Sequence, residues 1–302
     1  MSRFLVWYRM QPPALRALLT INVGVYLLWI LALMHLDVVR GFVWMQLALN
    51  PDWPAILTHP WQLVTYNFLH LQPGFWGLLH ILFNMLWLVW IGREYEELHG
   101  SHQLLALYLI AGVGGGLLTV LLHALFPSVG AFGGLVHGAS ASVLGVLMAV
   151  AILYPFKSVA LFLFGPIRLL YLVLIFLALD VLFMAGGGTA VGAHLGGALF
   201  GFLYAKAEQR GLDLAGWARI FFQPRRARRG RQPVTAETGH MLRRVGAWME
   251  QRRGAVAEGR SSSAEERSLE EEVDRILDKI SAHGYDSLTE EEKRILYEAS
   301  RR

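Results

Sequence analysis

Long apolar runs separated by short polar joints fill the first two thirds of the chain. They lie at about 17–34, 77–91, 104–125, 134–154, 167–184 and 191–205. Each approaches the ~20 residues that a helix needs to cross a bilayer. The pattern predicts an all-α polytopic membrane protein, a six-helix transmembrane bundle. Pro166 suits the first turn of the fifth helix, and residues 159–164 before it read as interfacial. The connection 35–76 is unusual, carrying Trp44, Trp53, Trp61, Trp76 and four prolines. It is too aromatic for a solvated loop, which predicts an interfacial or re-entrant segment.

After residue 205 the pattern changes. The 27 basic and 23 acidic residues are unevenly spread, with 13 of these 50 charges in residues 1–205 and the other 37 in 206–302. We therefore read a membrane domain over 1–207, a basic juxtamembrane segment and flexible linker over 208–268, and a small acidic helical hairpin over 269–302. Mean hydropathy is +0.42, and hydrophobic residues make up 55 % of the chain, both in the range of membrane proteins. With no cysteine, disulfides, thiolate chemistry and Cys-based metal sites are excluded. The net charge of +4 gives no reason to expect nucleic acid as a partner. The first apolar run is long enough to span and lacks a small-residue cleavage site, so no cleavable signal peptide is expected.

Six spans put both termini on one side. Arg3, Arg9, Arg16, Arg93, Lys157, Arg168 and the arginine-rich tail fall there, against Arg40 on the other side. The positive-inside rule makes the terminal side cytoplasmic. The second, fourth and sixth helices then start at the outer face.

Polar residues within those helices share a depth. The second carries His80 and Asn84, an i,i+4 pair on one face. The fourth carries Ser140 in its first turn beside Gly138 and Ala139, and the sixth carries His194 in its first turn. Intramembrane polar groups are costly and usually face the bundle interior. Each alone has a structural reading, as packing or interhelical hydrogen bonding; together they read as a serine nucleophile, an imidazole base and oxyanion donors. Gly197 and Gly201 share the face of His194 and form a small-residue strip. If that strip packs against the fourth helix, with Gly138 and Gly145, His194 reaches Ser140. The one acid near the outer ends is Asp180 on the fifth helix, and nothing in the spacing ties it to His194, so a Ser–His dyad is expected.

His80-x-x-x-Asn84, Gly138-Ala139-Ser140-Ala141 and Ala193-His194-Leu195-Gly196-Gly197-x-x-x-Gly201, in this order on these spans, resemble the rhomboid intramembrane serine proteases. Pro60 to Tyr66, Phe68-Leu69-His70 and Phe83 to Trp87 extend the resemblance over about 15–207. It implies a bacterial-type member in an inner (plasma) membrane, with a Ser140–His194 dyad and an oxyanion hole of His80, Asn84 and the Ser140 backbone N–H. No metal or cofactor is implied. The substrates would be single-span or polytopic membrane proteins within the bilayer, cut near the outer face. Water would enter under the aromatic first loop.

The chain departs from that pattern in several places. Ala141 stands where glycine is usual, its methyl a threat to the oxyanion site. Leu144 replaces an aromatic that would stack on the histidine, and Trp61-Gln62 replaces a Trp-Arg pair. About five extra residues lengthen the approach to the second helix, near 72–76. Ser142, two residues on, points elsewhere.

In the tail, Leu212, Leu214, Trp217, Ile220 and Phe221 precede Arg225, Arg226, Arg228, Arg229 and Arg231. This reads either as an interfacial helix with a lipid-facing polybasic run or as topology-fixing charge. Met241, Val245, Trp248 and Met249 suggest a further amphipathic turn, and residues 254–267 a linker. Two short helices follow over 269–280 and 289–299, with Gly284 ending the first and a capping box from Thr289 to Glu292 opening the second. Docking of a cytoplasmic partner and a passive solvated tail are both open for this hairpin.

The rival reading is a catalytically inactive rhomboid-like protein that binds membrane clients. A transporter would need ionisable residues through the full membrane depth, which the inner halves of these spans lack. A membrane metalloprotease is disfavoured without His-Glu-x-x-His.

Overall fold

The computed structural model describes residues 2–161, 165–184, 190–222, 244–245, 248–249, 264–283 and 288–301. They fall into two compact units, Met1–Phe222 and Gln223–Arg302.

The first unit is a bundle of apolar helices: α1 (Pro13–Leu31), α2 (Gly74–Trp87), α3 (Ser101–Leu125), α4 (Ser140–Leu153), α5 (Leu169–Leu182) and α6 (Val191–Gln209). The helical runs Pro13–His35, Gly74–His99 and Ser101–Leu125 are long and apolar enough to cross a membrane, while α4 and α5 are apolar but shorter. Large apolar side chains such as Leu31, Leu82, Leu121 and Leu182 are exposed on the outside of the bundle. Inside, small residues let backbones touch.

Proline starts α1, with Pro13 in its first turn. The orphan N–H groups there find a distant partner: the buried Glu96 carboxylate accepts from Ala14 N at 2.8 Å and Leu15 N at 2.7 Å. A negative group at a helix N-terminus is favourable. The second helical run continues past its expected end at residue 91, through a π-helical turn (Leu88–Gly92) to His99. Gly100, at φ +94°, breaks it before α3.

The long first connection is built of short helices, Asp37–Gln46, Trp53–Thr58 and Gln62–Thr65, with a 3-10 turn at Tyr66–Phe68. Trp61 Nε1 donates to Gln46 O at 2.7 Å. Gln62, fully buried, accepts from Asn50 N and donates to Met45 O, each at 2.9 Å. The neutral amide at this position ties the loop to itself without a charge.

Two expectations are corrected within this unit. Residues 134–139 are not helical: Val136 pairs with Leu49, and the helix begins at Ser140. Pro166 lies in a strand, not in the first turn of α5, because Gly165–Arg168 pairs antiparallel with Ser158–Leu161. The segment from 158 is thus one side of a hairpin, and the interfacial reading of 162–164 lies outside the described residues.

After α6 the chain makes a 3-10 turn, Gly216–Phe221, with Leu212, Trp217, Ile220 and Phe221 exposed. The basic run 225–231, Met241 and Gly284 lie outside the described residues.

In the second unit, α7 (Ala264–His283) begins within the expected linker and is longer than expected; α8 spans Glu290–Arg301. Val245, Trp248 and Met249 are buried with Val273, Ile276, Leu288, Leu296 and Ala299, forming a small core of their own. The capping box is reciprocal: Glu292 N donates to Thr289 Oγ1 at 3.2 Å and Thr289 N to Glu292 Oε2 at 2.7 Å.

Candidate active site

The segment leading into α4 is held from two directions. Leu49 and Val136 exchange backbone bonds at 2.9 Å, and Gly138 N–H donates to Tyr66 O at 2.9 Å. Gly138 then takes φ +128°, a conformation that L side chains rarely adopt. The imidazole of His80 also lies against it, since a Cβ at 138 would come within 2.8 Å of His80 Cε1. This turn delivers Ser140 to the first position of α4, where helix N–H groups lack intrahelical acceptors.

Two neighbours on α4 are tied down elsewhere. Ser142 is fully buried and donates to Asn67 Oδ1 at 2.9 Å. Tyr108 OH bonds Asn67 O at 3.0 Å and receives Asn22 Nδ2 at 3.2 Å. This buried network links α1, the first connection, α3 and α4, and it occupies the second hydroxyl. Ala141 directs its methyl toward Gly115 on α3, where an added Cβ would meet it at 2.8 Å. The methyl is therefore packed into the bundle and does not line the cavity described below.

His194 is placed by backbone contact. A Cβ at Gly197 would stand 2.1 Å from Ala141 O, and one at Gly201 2.1 Å from Gly145 O. On the α3 side, one at Gly196 would meet Gly114 O at 2.7 Å. With α6 pressed onto both helices, His194 Nε2 lies 2.7 Å from Ser140 Oγ.

The other imidazole nitrogen has a neighbour that spacing did not tie to it. Asp180 Oδ2 lies 2.5 Å from His194 Nδ1. Both side chains are largely buried, at 16 % and 17 % exposure. Spacing could not reveal this pair, because 180 and 194 sit on different helices whose relative rotation depends on packing. The visible signal was a lone carboxylate on an otherwise apolar helix.

Ser140, His194, Asp180, His80 and Asn84 line one cavity of about 330 Å³, whose other walls include Phe83, Trp87, Leu144 and Phe176. Asn84 Nδ2 lies 3.4 Å from Nε2 of His70, and the Ala139 N–H points to the same nitrogen at 3.5 Å. His70, buried and set edge-on to His80, was not singled out by the sequence reading as a supporting residue. Among the described residues no cluster of His, Asp and Glu has the form of a metal site.

Comparison with known proteins points the same way. Residues 57–210 match the family model of the rhomboid domain, and residues 263–302 match a family of unknown function (DUF6576). RHOMBOID-like protein 1 of Arabidopsis thaliana is 30 % identical over 189 residues, 63 % of this chain and 43 % of its own length. RHOMBOID-like protein 6, mitochondrial, of the same plant is 30 % identical over 164 residues, 54 % of this chain and 50 % of its own. RHOMBOID-like protein 2 is 34 % identical over 153 residues, 51 % and 45 % respectively. The chain thus spans half or less of the length of these plant relatives. Because the matched domain takes in more than half of the chain and every residue of the cavity's polar wall, this integral membrane protein belongs to the rhomboid family.

Proposed function

We propose that the chain is an intramembrane serine endopeptidase that cleaves transmembrane segments of membrane proteins. The observation that carries this reading is the 2.7 Å contact between Ser140 Oγ and His194 Nε2 within a cavity between apolar helices. A hydroxyl is a weak nucleophile until a base takes its proton, and this contact supplies the base.

In the proposed cycle, His194 Nε2 accepts the Ser140 proton as Oγ bonds to a substrate carbonyl carbon. The carbonyl π electrons move to oxygen. His80, Asn84 and the Ser140 N–H are the proposed donors to that oxyanion, each worth about 3–4 kcal/mol in comparable sites. Collapse of the intermediate breaks the C–N bond, and the leaving amine takes the proton from Nε2. Water then attacks the acyl-enzyme by the same route in reverse. A substrate helix in lipid has its backbone groups paired, so small or helix-breaking residues near the cut favour cleavage by easing local unwinding.

The spans we assign are the six apolar helices, with both termini cytoplasmic and the site toward the outer face, in a bacterial inner membrane. The short α4 supports a serine below the membrane surface: 14 residues rise ~21 Å against a hydrocarbon core of ~30 Å. We assign residues 1–207 to the membrane domain; beyond it, Val245, Trp248 and Met249 share a core with α7 and α8, so the acidic hairpin takes in part of the segment expected as a linker, and docking of a cytoplasmic partner is one of its two readings.

Purified full-length protein incubated with a panel of single-span membrane proteins tests the reading. Cleavage of at least one by the wild type, abolished in Ser140→Ala, is expected. Binding of clients without any cleavage would favour the inactive rhomboid-like alternative.

A further inference from the structure

Resting on the protease reading, we propose that Asp180 is a positioning residue that holds the base and stabilises its cationic form, making the site a Ser140–His194–Asp180 chain instead of a Ser–His pair. Three observations carry it. The contact is direct, Asp180 Oδ2 to His194 Nδ1 at 2.5 Å, while the opposite ring nitrogen faces Ser140 Oγ at 2.7 Å. The carboxylate lines the same cavity as both of them. It also sits on α5, whose other residues are Leu, Tyr, Val, Ile, Phe and Ala, where an ionised group is costly unless paired.

The chemistry follows from the two ring nitrogens. To take a proton from Ser140, Nε2 must carry a lone pair, so the neutral ring must bear its hydrogen on Nδ1. That tautomer is favoured by an acceptor on the Nδ1 side, and among the described residues Asp180 is the one in contact. When Ser140 transfers its proton the ring becomes cationic, and the carboxylate then faces a full positive charge. Asp180 keeps its own charge throughout and exchanges no proton. The bond also fixes the imidazole plane at a position where Leu144 offers no ring to stack upon.

A merely structural role, clipping α5 to α6, predicts something different: loss of thermal stability with the reactivity of Ser140 unchanged. Full-length protein in detergent, treated with a fluorescent alkyl fluorophosphonate, separates the two. The labelling rate at Ser140 should fall by up to ~10⁴-fold in Asp180→Asn, the loss known for the triad carboxylate, and Asp180→Glu should recover part of it. Nitrogen-edited NMR of histidine-labelled protein gives a readout independent of labelling. A downfield imidazole N–H resonance, absent from His194→Gln, should move upfield in Asp180→Asn; if that variant fails to fold, the labelling rate of folded Asp180→Glu, expected below wild type, decides the matter. Wild-type labelling rates in Asp180→Asn, or no such resonance in the wild type, would overturn the proposal. A wild type that is never labelled while the resonance is present would instead count against the protease reading and leave the Asp180–His194 bond standing.

Discussion

Ser140 and Ser142 are two residues apart on one helix and differ completely in circumstance. Ser140 lines a cavity against an imidazole, while Ser142 is sealed against Asn67. Replacing Ser142 with alanine leaves a buried amide oxygen without that donor, a cost of about 1–3 kcal/mol. It should lower the unfolding temperature while cleavage persists; loss of fluorophosphonate labelling in a folded Ser142→Ala protein would contradict the division of roles. Asn84→Ala should instead lower kcat about 10²–10³-fold with little change in KM, measured once a substrate is in hand. The serine, the histidines and Asn84 were legible in the sequence because i,i+4 spacing and position within apolar runs fix their face and depth. Asp180 was not, since its meeting with His194 depends on the rotation of α5 about its own axis, which a helix apolar on all its other positions does not encode. The direction of the Ala141 methyl was equally hidden until Gly115 appeared opposite it.

Helices, considered one by one, account for how the site is held. Of the glycines read from spacing, Gly201 lies on Gly145 with no room for a methyl and Gly197 lies on Ala141, whereas Gly138, just before α4, meets His80 and not α6. Gly201→Ala should cost about 1–3 kcal/mol and lower the unfolding temperature of the purified protein; an unchanged temperature would show that the helices are not in backbone contact there. Element boundaries were harder to read. The start of α4 at Ser140 depends on a bridge to Leu49 some ninety residues away in sequence, and the hairpin around Pro166 depends on strand pairing that an apolar run does not announce. In α8 the capping box was legible because it is local. Glu292 also receives Lys279 Nζ at 2.7 and 2.8 Å. The Lys279 ammonium, first, and then the Thr289 N–H hold its carboxyl below the ordinary range. A depressed folded value means that its stabilisation is present above the unfolded pKa and lost as pH falls through the folded one. Amide protection factors in the first turn of α8 should therefore drop on acidification in the full-length protein, and Glu292→Gln should show the lowered protection already at neutral pH.

The molecule as a whole combines a lipid-facing bundle with a second unit that has its own small core. That core was only partly legible: Val245, Trp248 and Met249 were visible as an amphipathic turn, but their burial against α7 and α8 follows from contacts that sequence separation conceals. Orientation in the membrane rests on the distribution of arginines and is open to a direct check, because the natural sequence has no cysteine. A membrane-impermeant thiol reagent should label Ser128→Cys in intact bacterial cells whose outer membrane has been made permeable, and Ser2→Cys only after the inner membrane is opened. The reverse pattern would invert the topology and move the site to the inner face.

The proposed chemistry rests on the pairing of one hydroxyl with one imidazole, and the site of covalent attack tests it. Full-length protein labelled with a fluorophosphonate and digested for peptide mass mapping should carry the adduct on Ser140, and His194→Ala should carry none. An adduct on Ser142, or undiminished labelling of Ser140 without His194, would contradict it.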